Sequence, residues 1–364
     1  MRIAAWFATS LTDRYVTGVG KHAVEMISGL ARTDGVTVEL LVTSSKGAID
    51  PSATRLKGLP LLSLAMPRRL LELTWWLLRW PRLQRWAPQA DWLYCPRELW
   101  LPPGRSRYAL TVHDLWSLDR PGVRWRDRWR VRRVLRPALR RADLVFTVSE
   151  FTAERLQAHF GPLAHKIRVI GNGAARAYFE RAAQAVSDVS AAEPPYLVSV
   201  GGLTEKKGGD RLLALAWRLY RRHSPLRLIV VGPVDASSQA ARWPPNLEHI
   251  PRGGSDSELA ELVRGARAAL SLSRYEGFGI TLVEAMAVGT PVIASDIPAH
   301  REVAGDASWL VDGDDSEALD VALAEVIDRR ASREERCARA GARAAEYTWE
   351  KAVARLLSAL RECA

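Results

Sequence analysis

The feature that most constrains the fold of this chain is an alternation, repeated twice, of short apolar segments with longer stretches of helical periodicity. In the first half, the apolar segments are residues 2–8, 35–43, 91–95, 108–113, 143–149 and 166–170. In the second half, they are residues 195–201, 226–232, 246–250, 268–273, 290–296 and 307–312. Strands that alternate with helices form parallel sheets covered by helices. The sequence therefore predicts an α/β protein with two doubly wound domains facing a central cleft, and ligands bound beyond the carboxyl ends of the strands.

The chain length and one irregular segment set the expected domain boundaries. At 364 residues the chain is long enough for two domains. The segment SDVSAAEPP (187–195) has small residues, ends in proline and shows no helical or strand period, which is typical of a linker. We therefore expect a first domain over 1–190 and a second over 191–347. Residues 348–364 carry apolar side chains at helical spacing, which predicts a closing amphipathic helix that packs back towards the first domain.

Cysteine usage and the start of the chain bear on the compartment. Cys95, Cys337 and Cys363 are an odd number of thiols at wide spacing, which offers neither a disulfide framework nor a CxxC metal site. The apolar run after Met1 is too short for a secretory core, and nowhere do about 18 uninterrupted apolar residues occur. We expect a cytoplasmic protein in a reducing compartment.

The densest group of candidate functional residues lies in SRYEGFGITLVEAMAVGTPVIASD (273–296). A predicted strand ends in a glycine-containing loop with Glu276, and the next predicted helix begins near Ile280 and carries Glu284 in its early turns. Glycines let the backbone approach a ligand, and free N–H groups at a helix N-terminus favour a diphosphate. The two carboxylates can each accept hydrogen bonds from sugar hydroxyls. The alternative is that the glycines only shape a turn and that Glu284 is a solvated helix carboxylate.

A glycine-containing segment follows the first strand of each predicted domain, and in the second domain it also contains two lysines. GGLTEKKGGD (201–210) contains Lys206 and Lys207, and a lysine there can neutralise a leaving diphosphate as a point charge. In the first domain, Gly18 and Gly20 of TGVGKH let the backbone approach a substrate. The structural alternatives are a solvated turn for the lysines and a tight strand-to-helix turn for the glycines. GxGxxG and GxxxxGK[ST] are absent from the sequence, which disfavours a dinucleotide dehydrogenase and a P-loop ATPase.

One histidine lies at the end of a predicted strand of the first domain. His113 ends YALTVH and is followed by Asp114, at the rim where the cleft is expected. A histidine at that edge can hydrogen-bond a sugar hydroxyl or assist proton transfer. The more common outcome for a single histidine is an ordinary hydrogen-bonded structural side chain. No GxSxG, HExxH or EF-hand pattern occurs, which leaves hydrolase triads and zinc or calcium sites without support.

With these motifs the chain resembles the retaining GT-B glycosyltransferases of family 4, which include many bacterial mannosyl- and glucosyltransferases. The resemblance covers nearly the whole chain. It is carried by TGVGKH, TVHDLWSLDRP, ADLVFTVSEFTAERL, IRVIGNGAARAYF, YLVSVGGLTEKKGGDRLL and YEGFGITLVEAMAVGTPVIASDIPAHREVAGDASWLVD. The last block resembles the family's E-x7-E motif and is the most specific of them. The resemblance implies a GT-B fold of two Rossmann-like domains.

The resemblance implies roles for the matched residues. Glu276 would contact the donor sugar, Glu284 the ribose, and Lys207 the diphosphate. His113, with Asp114 beside it, would line the sugar pocket. The remaining implied donor-binding residues are Gly18, Gly20, Gly202, Gly277, Phe278, Gly279 and Ile280.

The resemblance also implies a reaction. Such enzymes retain the anomeric configuration, commonly by front-face attack assisted by the leaving phosphate, so stabilising the departing diphosphate is the main contribution of the protein. The catalytic residues implied are His113, Glu276 and Lys207. No metal and no cofactor besides the substrate nucleotide sugar is implied.

One position departs from the family pattern. The family often has arginine where this chain has Gly202, so half of the usual Arg and Lys clamp is missing. Arg252, in the loop after the predicted strand 246–250, is a candidate substitute. The interpretation is that the phosphate charge is handled differently or that activity is reduced.

The charge is concentrated in the first half of the chain. Of a net charge of +11, residues 1–190 hold 30 Lys and Arg against 16 Asp and Glu, whereas residues 191–364 hold 22 against 25. Residues 66–86 mix Trp, Leu and Arg, and residues 124–143 add an arginine stripe opposite an apolar face, as in helices that lie on an anionic bilayer. The alternative is core-packed helices with solvated arginines.

We therefore expect the first domain to dock peripherally on the cytoplasmic face of the inner membrane and to reach a lipid-diphosphate-linked acceptor. Nucleic acid is disfavoured because the sequence contains no recognised nucleic-acid module.

The favoured function is transfer of a hexose from a nucleotide sugar to a glycan or lipid-linked oligosaccharide in the assembly of lipopolysaccharide or exopolysaccharide. The HD and GG loop variants favour mannose from GDP-mannose. One alternative is a nucleotide-sugar 2-epimerase of GT-B fold, which would convert the nucleotide sugar without an acceptor. The other is a membrane-associated carbohydrate-binding protein with a degenerate site, an interpretation that Gly202 keeps open.

Overall fold

The computed structural model describes residues 1–7, 17–43, 56–64, 66, 68–78, 80–102, 104–183 and 194–363. Two compact units form: Met1–Gly171 with Trp349–Ala364, and Asn172–Thr348. Each unit contains one parallel sheet with helices between its strands, which confirms the predicted α/β class of two doubly wound domains.

The first unit is built on a seven-stranded parallel sheet. Its strands are β1 (Arg2–Trp6), β2 (Thr37–Thr43), β3 (Leu61–Leu64), β4 (Trp92–Cys95), β5 (Arg107–Val112), β6 (Leu144–Thr147) and β7 (Ile167–Val169). Its first helices are α1 (Gly18–Ala31), α2 (Arg68–Leu78), α3 (Trp116–Asp119), α4 (Trp125–Arg141) and α5 (Glu150–Phe160). The strand order is β3-β2-β1-β4-β5-β6-β7. Because β2 and β4 flank β1, the order reverses there, at the switch point where such sheets bind ligands.

The second unit repeats this plan with six parallel strands. Its strands are β8 (Tyr196–Val200), β9 (Arg227–Val231), β10 (Leu247–Ile250), β11 (Ala268–Ser271), β12 (Val292–Ser295) and β13 (Trp309–Val311). Its helices are α6 (Arg176–Ala183), α7 (Gly209–Arg221), α8 (Ala236–Ala240), α9 (Asp256–Arg264), α10 (Ile280–Ala287), α11 (Pro298–Ala304), α12 (Ser316–Asp328) and α13 (Arg330–Ala344). The strand order β10-β9-β8-β11-β12-β13 puts the switch point between β8 and β11.

The last helix of the chain, α14 (Trp349–Glu362), belongs to the first unit. Its apolar face is buried, and it packs along α1. The approach is close at Gly29, where an added Cβ would lie 2.5 Å from Cγ2 of Val353. A larger residue at Gly29 would therefore force the two helices apart.

The first boundary between the units differs from the expected one at 190/191. The division falls after Gly171, because α6 packs on α9 and α10. Most of the expected linker 187–195 lies outside the described residues.

One strand was not predicted from the sequence, namely β3 at the edge of the first sheet. Among the described strands its one neighbour is β2, and it has only four residues, three of which are exposed or half-buried. Gly18 and Gly20, expected in a loop, form the first turn of α1. The Thr17 hydroxyl accepts a hydrogen bond from the Gly20 N–H at 3.1 Å and begins the helix before the glycines.

Two helices on one face of the first sheet present apolar and basic residues outwards. One core cluster contains buried residues of both helices, namely Leu71 and Trp75 of α2 and Leu135 and Leu139 of α4. The outer surfaces of both helices therefore lie on the same side of the sheet. Among the helices of the described ranges, none combines the length and apolar character needed to cross a bilayer.

Candidate active site

The second unit brings Lys207 and Glu276 together at its switch point. Lys207 lies in the loop after β8, and Glu276 lies in the loop after the neighbouring strand β11. Lys207 Nζ donates to Glu276 Oε1 at 2.7 Å, and the Ser273 hydroxyl donates to the same oxygen at 2.7 Å. The sequence predicted a ligand-binding loop after each of these two strands. Because β8 and β11 are neighbours in the sheet, the two loops are adjacent.

The electrostatics of this pair keep Glu276 ionised. Burial of its side chain raises the pKa, but the positive charges of Lys207 and Lys206 lower it more, and the pKa of Glu276 falls to about 2. An ionised carboxylate is an acceptor only. Lys207 is 28% exposed, so its ammonium group remains open to a further anion. Lys207 is thus held in an ion pair with a buried carboxylate, and its role towards a ligand stays a prediction.

The turn after Glu276 presents backbone N–H groups. Gly279 precedes α10 in the left-handed conformation, with a φ of 98°, which favours glycine. Having no side chain, Gly279 cannot cap the helix itself, and Ile280 begins α10 as predicted. The Phe278 ring is buried and packs edge-on against Tyr347, with centroids 5.3 Å apart, so the ring faces the protein interior. Gly277 is buried beside it.

Glu284 lies on α10 and is buried, which makes the alternative of a solvated carboxylate wrong. The helix packs against α6, α9, α11 and α13, so few of its positions meet solvent. The hydroxyl of Tyr178 on α6 lies beside the Glu284 carboxylate. Burial raises the pKa of Tyr178, and the negative charge of Glu284 raises it further. The Glu284 carboxylate thus lies close enough to Tyr178 to act on its ionisation.

The backbone around Gly202 leaves no space for a side chain. Gly202 has a φ of 85°, and an added Cβ would lie 1.9 Å from the Pro233 carbonyl oxygen. Glycine is therefore required by this turn, and an arginine cannot occupy it without backbone movement. Arg252 is exposed in the loop after β10, the edge strand, which β9 separates from β8. Among the described residues, the hydrogen bonds and ion pairs of Lys207 and Glu276 do not include Arg252.

The first unit places His113 after β5 with defined hydrogen bonds. The backbone N–H of His113 donates to Glu98 Oε1 at 2.9 Å, and the ring atom Nε2 lies 2.7 Å from the Pro96 carbonyl oxygen. Because a carbonyl only accepts, Nε2 carries the proton and Nδ1 keeps a lone pair in the neutral ring. Asp114 Oδ1 accepts a hydrogen bond at 3.0 Å from the backbone N–H of Trp116, the first residue of α3.

A second buried histidine in the first unit was not predicted. The His22 ring, on α1, packs edge-on against His113 with centroids 4.6 Å apart. His22 Nε2 lies 3.3 Å from the Tyr94 hydroxyl, which lies 3.1 Å from the Thr111 hydroxyl. Gly18 and Gly20 precede His22 in the same helix.

Three further residues of the second-unit site were missed in the sequence, namely Ser273, Tyr178 and His300. Ser273 lies three positions before Glu276, and Tyr178 lies in IRVIGNGAARAYF, a motif that marks the family without indicating a contact. His300 follows Pro298 at the start of α11, and its complete burial beside Gly279 is visible only in three dimensions.

Comparison with known proteins identifies the family. The model "Glycosyltransferase Family 4" matches residues 16–176, and the model "Glycosyl transferases group 1" matches residues 167–346. "O-antigen chain mannosyltransferase B" of Escherichia coli is 26% identical over 98% of this chain and 98% of its own length.

Solved structures agree with this family. Sucrose-phosphate synthase from Thermosynechococcus elongatus has a TM-score of 0.74 at 19% identity, covering 100% of this chain and 99% of that chain. HepE from Anabaena, in complex with UDP, has a TM-score of 0.73 at 16% identity, covering 99% of both chains. Since the two family models together match residues 16–346, the chain belongs to the family 4 glycosyltransferases and has the GT-B fold.

Proposed function

We propose that this glycosyltransferase moves mannose from GDP-mannose to a glycan or lipid-linked oligosaccharide in the assembly of a surface polysaccharide. The observation that carries the proposal is the Lys207–Glu276 ion pair beside the amide end of α10. The name of the E. coli relative, an O-antigen chain mannosyltransferase, supports the choice of sugar and acceptor.

The diphosphate of the donor is assigned to the start of α10 and to Lys207. The first N–H groups of a helix have no partner within it and carry a partial positive charge, which favours an anion. Lys207 has three N–H donors, and the bond to Glu276 uses one of them. The remaining donors neutralise the charge that develops on the leaving diphosphate, where electrostatic stabilisation is most effective.

The two glutamates are assigned to hydroxyl groups of the donor. Among the described residues, the hydrogen-bond donors to Glu276 both reach Oε1, which leaves Oε2 to accept from a hydroxyl of the transferred sugar. Glu284 is assigned to the ribose hydroxyls, with Tyr178 of α6 as its close neighbour. His113 is the candidate in the first unit for a hydrogen bond from a sugar hydroxyl to its Nδ1.

The reaction that follows is transfer with retention. The bond between the anomeric carbon and the diphosphate oxygen breaks, and the acceptor hydroxyl oxygen forms its bond on the same face of the sugar. The proton of that hydroxyl passes to the departing phosphate oxygen. The contribution of Lys207 and the α10 amides is to lower the energy of the separating charges.

A membrane surface is proposed as the place where the acceptor is met. The outer surface of α2 exposes Leu70, Leu73, Leu77 and Leu78, and α4 exposes Trp125, Trp129 and several arginines. Exposed leucine and tryptophan next to arginine favour the interface of an anionic bilayer. Peripheral binding there would bring the first unit to a lipid-linked acceptor.

The assay that tests the function uses GDP-mannose labelled in the sugar, with and without a lipid-linked oligosaccharide acceptor. We expect transfer to the acceptor with retained configuration. Conversion to a 2-epimer without acceptor would identify an epimerase instead, and donor binding without turnover would identify a carbohydrate-binding protein.

The matched variants are Lys207→Ala and Lys206→Ala. We expect Lys207→Ala to abolish turnover while the circular dichroism spectrum is unchanged, because the charge opposite the diphosphate is lost. Lys206 has its Nζ 6.0 Å from the centre of the Tyr275 ring and acts on Glu276 more weakly than Lys207 does, so Lys206→Ala should keep most of the rate. Near-normal turnover of Lys207→Ala would remove Lys207 from the site.

A further inference from the structure

A fully buried histidine lies behind the turn to which the diphosphate is assigned. His300 is on α11, directly after β12, and its side chain has no exposed surface. Its Nδ1 lies 2.8 Å from the Ser295 carbonyl oxygen at the end of β12, and its Nε2 lies 3.4 Å from the Ser271 hydroxyl at the end of β11. One imidazole thus joins the carboxyl ends of the two strands.

These contacts fix the protonation of the ring. The Ser295 carbonyl can only accept, so Nδ1 carries the hydrogen, and Nε2 of the neutral ring accepts from the Ser271 hydroxyl. Burial lowers the pKa of His300 more than the nearby Glu276 carboxylate raises it, and the charge of Lys207 lowers it too. His300 is therefore neutral at neutral pH.

The edge of the same ring faces the glycine that precedes α10. A Cβ added to Gly279 would lie 3.5 Å from His300 Cδ2 and 3.7 Å from Nε2, which is ordinary van der Waals contact. The ring fills the space on one side of the left-handed Gly279. A shorter side chain at 300 would leave a cavity there, into which the turn can move.

We propose that His300 is a positioning residue that holds the Gly279 turn, and with it the first N–H groups of α10, in the conformation that receives the donor diphosphate. This inference rests on the proposed function, since the diphosphate is assigned there. The ring acts through the backbone of Gly279, while the strand-end contacts with Ser295 and Ser271 hold the ring itself in place. A site for an anion needs such support, because N–H groups that are not held in place lose orientation and affinity.

The test compares GDP and guanosine binding to the full chain and to His300→Asn. Asparagine retains an N–H donor for the Ser295 carbonyl but lacks the ring edge beside Gly279. We expect GDP to bind roughly tenfold more weakly, as when a buried group that orients a ligand-binding element is lost. Guanosine binding should be unchanged, because guanosine has no diphosphate. The measurements are calorimetric titration with GDP and competition by guanosine.

The matched control is Thr290→Val, which removes another buried bond between a side chain and the backbone of the second unit, from Thr290 Oγ1 to the Val263 carbonyl at 2.8 Å. This variant should bind GDP as the unaltered chain does. Equal losses for GDP and guanosine in His300→Asn, or no loss of either, would overturn the positioning role.

A double-mutant cycle with Gly279→Ala adds a second measurement. If His300 acts through Gly279, the two changes are not additive in GDP affinity, whereas Gly279→Ala and Thr290→Val are additive. Additive effects of His300→Asn and Gly279→Ala would contradict the proposal. If the unaltered chain does not bind GDP, the proposed GDP-mannose donor itself is overturned, an outcome distinct from normal GDP binding by the variant.

Discussion

At the scale of single residues, Gly202 shows why a motif position cannot be interpreted apart from its backbone. The absence of arginine there suggested an incomplete phosphate clamp. The φ of 85° and the Pro233 carbonyl explain the glycine by local geometry alone. The glycine is thus tied to the shape of this turn, and the effect of the missing arginine charge on activity stays a question for the transfer assay.

Restoring the family arginine is therefore expected to harm the protein. Gly202→Arg combines a strained φ with overlap of the Pro233 carbonyl and should destabilise the second unit by more than about 3 kcal/mol. Gly289→Arg has the strain, with a φ of 82°, but open space, and should cost about 1–2 kcal/mol. Gly341→Arg, inside α13 with open space and no positive φ, should stabilise by up to about 1 kcal/mol, because glycine disfavours a helix. Urea unfolding measures all three, and equal midpoints for Gly202→Arg and Gly341→Arg would refute the explanation.

The pKa of His300 predicts how stability changes with pH. The unfolded ring has a pKa of 6.5, and the folded ring has a lower one. Below pH 6.5 the unfolded chain therefore binds a proton that the folded chain does not, so stability falls as the pH falls, by at most about 1.4 kcal/mol per unit. Glu276 adds a second loss from about pH 4.5 towards pH 2.

The free energy of unfolding, measured for the unaltered chain and for His300→Asn between pH 7 and pH 5, separates the contribution of His300 from that of Glu276. The unaltered chain should lose more stability than the variant over this range, because asparagine does not titrate. Parallel stability curves would contradict the assigned protonation of His300.

The sequence predicted the residues of the site that stand in glycine loops at strand ends, such as Glu276 and Lys207, because loop position alone indicates ligand binding. It did not predict Ser273, Tyr178 or His300. Their importance depends on which strand ends and helices become neighbours, and that information is in the sheet order. The burial of Glu284 was equally inaccessible, since a carboxylate on a helix is usually solvated.

At the scale of elements, the strands that the sequence predicted are present in both sheets, because apolar runs between helices are a strong signal. The edge strand β3 escaped prediction because it is short and half exposed. The first turn of α1 was mistaken for a loop because glycine has a low helix propensity, while capping by Thr17 outweighs that preference. The predicted interfacial segment 66–86 contains α2 only from Arg68 to Leu78.

The exposed leucines of α2 predict a measurable affinity for anionic vesicles. Leu77→Glu should weaken flotation with phosphatidylglycerol-containing liposomes several-fold, because it places a negative charge at the centre of the apolar surface. Val321→Glu changes an equally exposed apolar residue on α12 of the second unit and should have no effect. Equal flotation with anionic and neutral vesicles would remove the membrane from the proposal.

At the scale of the whole molecule, each unit has a core of its own, but the first is assembled from two distant parts of the chain. Helix α14 contributes buried side chains at Trp349, Val353, Leu356, Leu357 and Leu360. Each large apolar side chain removed from a core costs on the order of 2 kcal/mol or more. The first unit should therefore depend on α14 far more than the second does.

A chain that stops after Thr348 tests this dependence. Limited proteolysis should cut it within 1–171 and leave 172–348 intact, and the truncated chain should bind a hydrophobic dye that the full chain excludes. Equal resistance of 1–171 with and without α14 would show that the helix is dispensable for the first unit.

The place of α14 also determines the order of events during synthesis. A nascent chain ordinarily folds its leading domain first. Here residues 172–348, with everything their sheet requires, leave the ribosome before the helix that covers Gly29 and its neighbours on α1. The second unit can thus fold while the first still lacks α14. During that interval the side of α1 that α14 will cover is available to a chaperone.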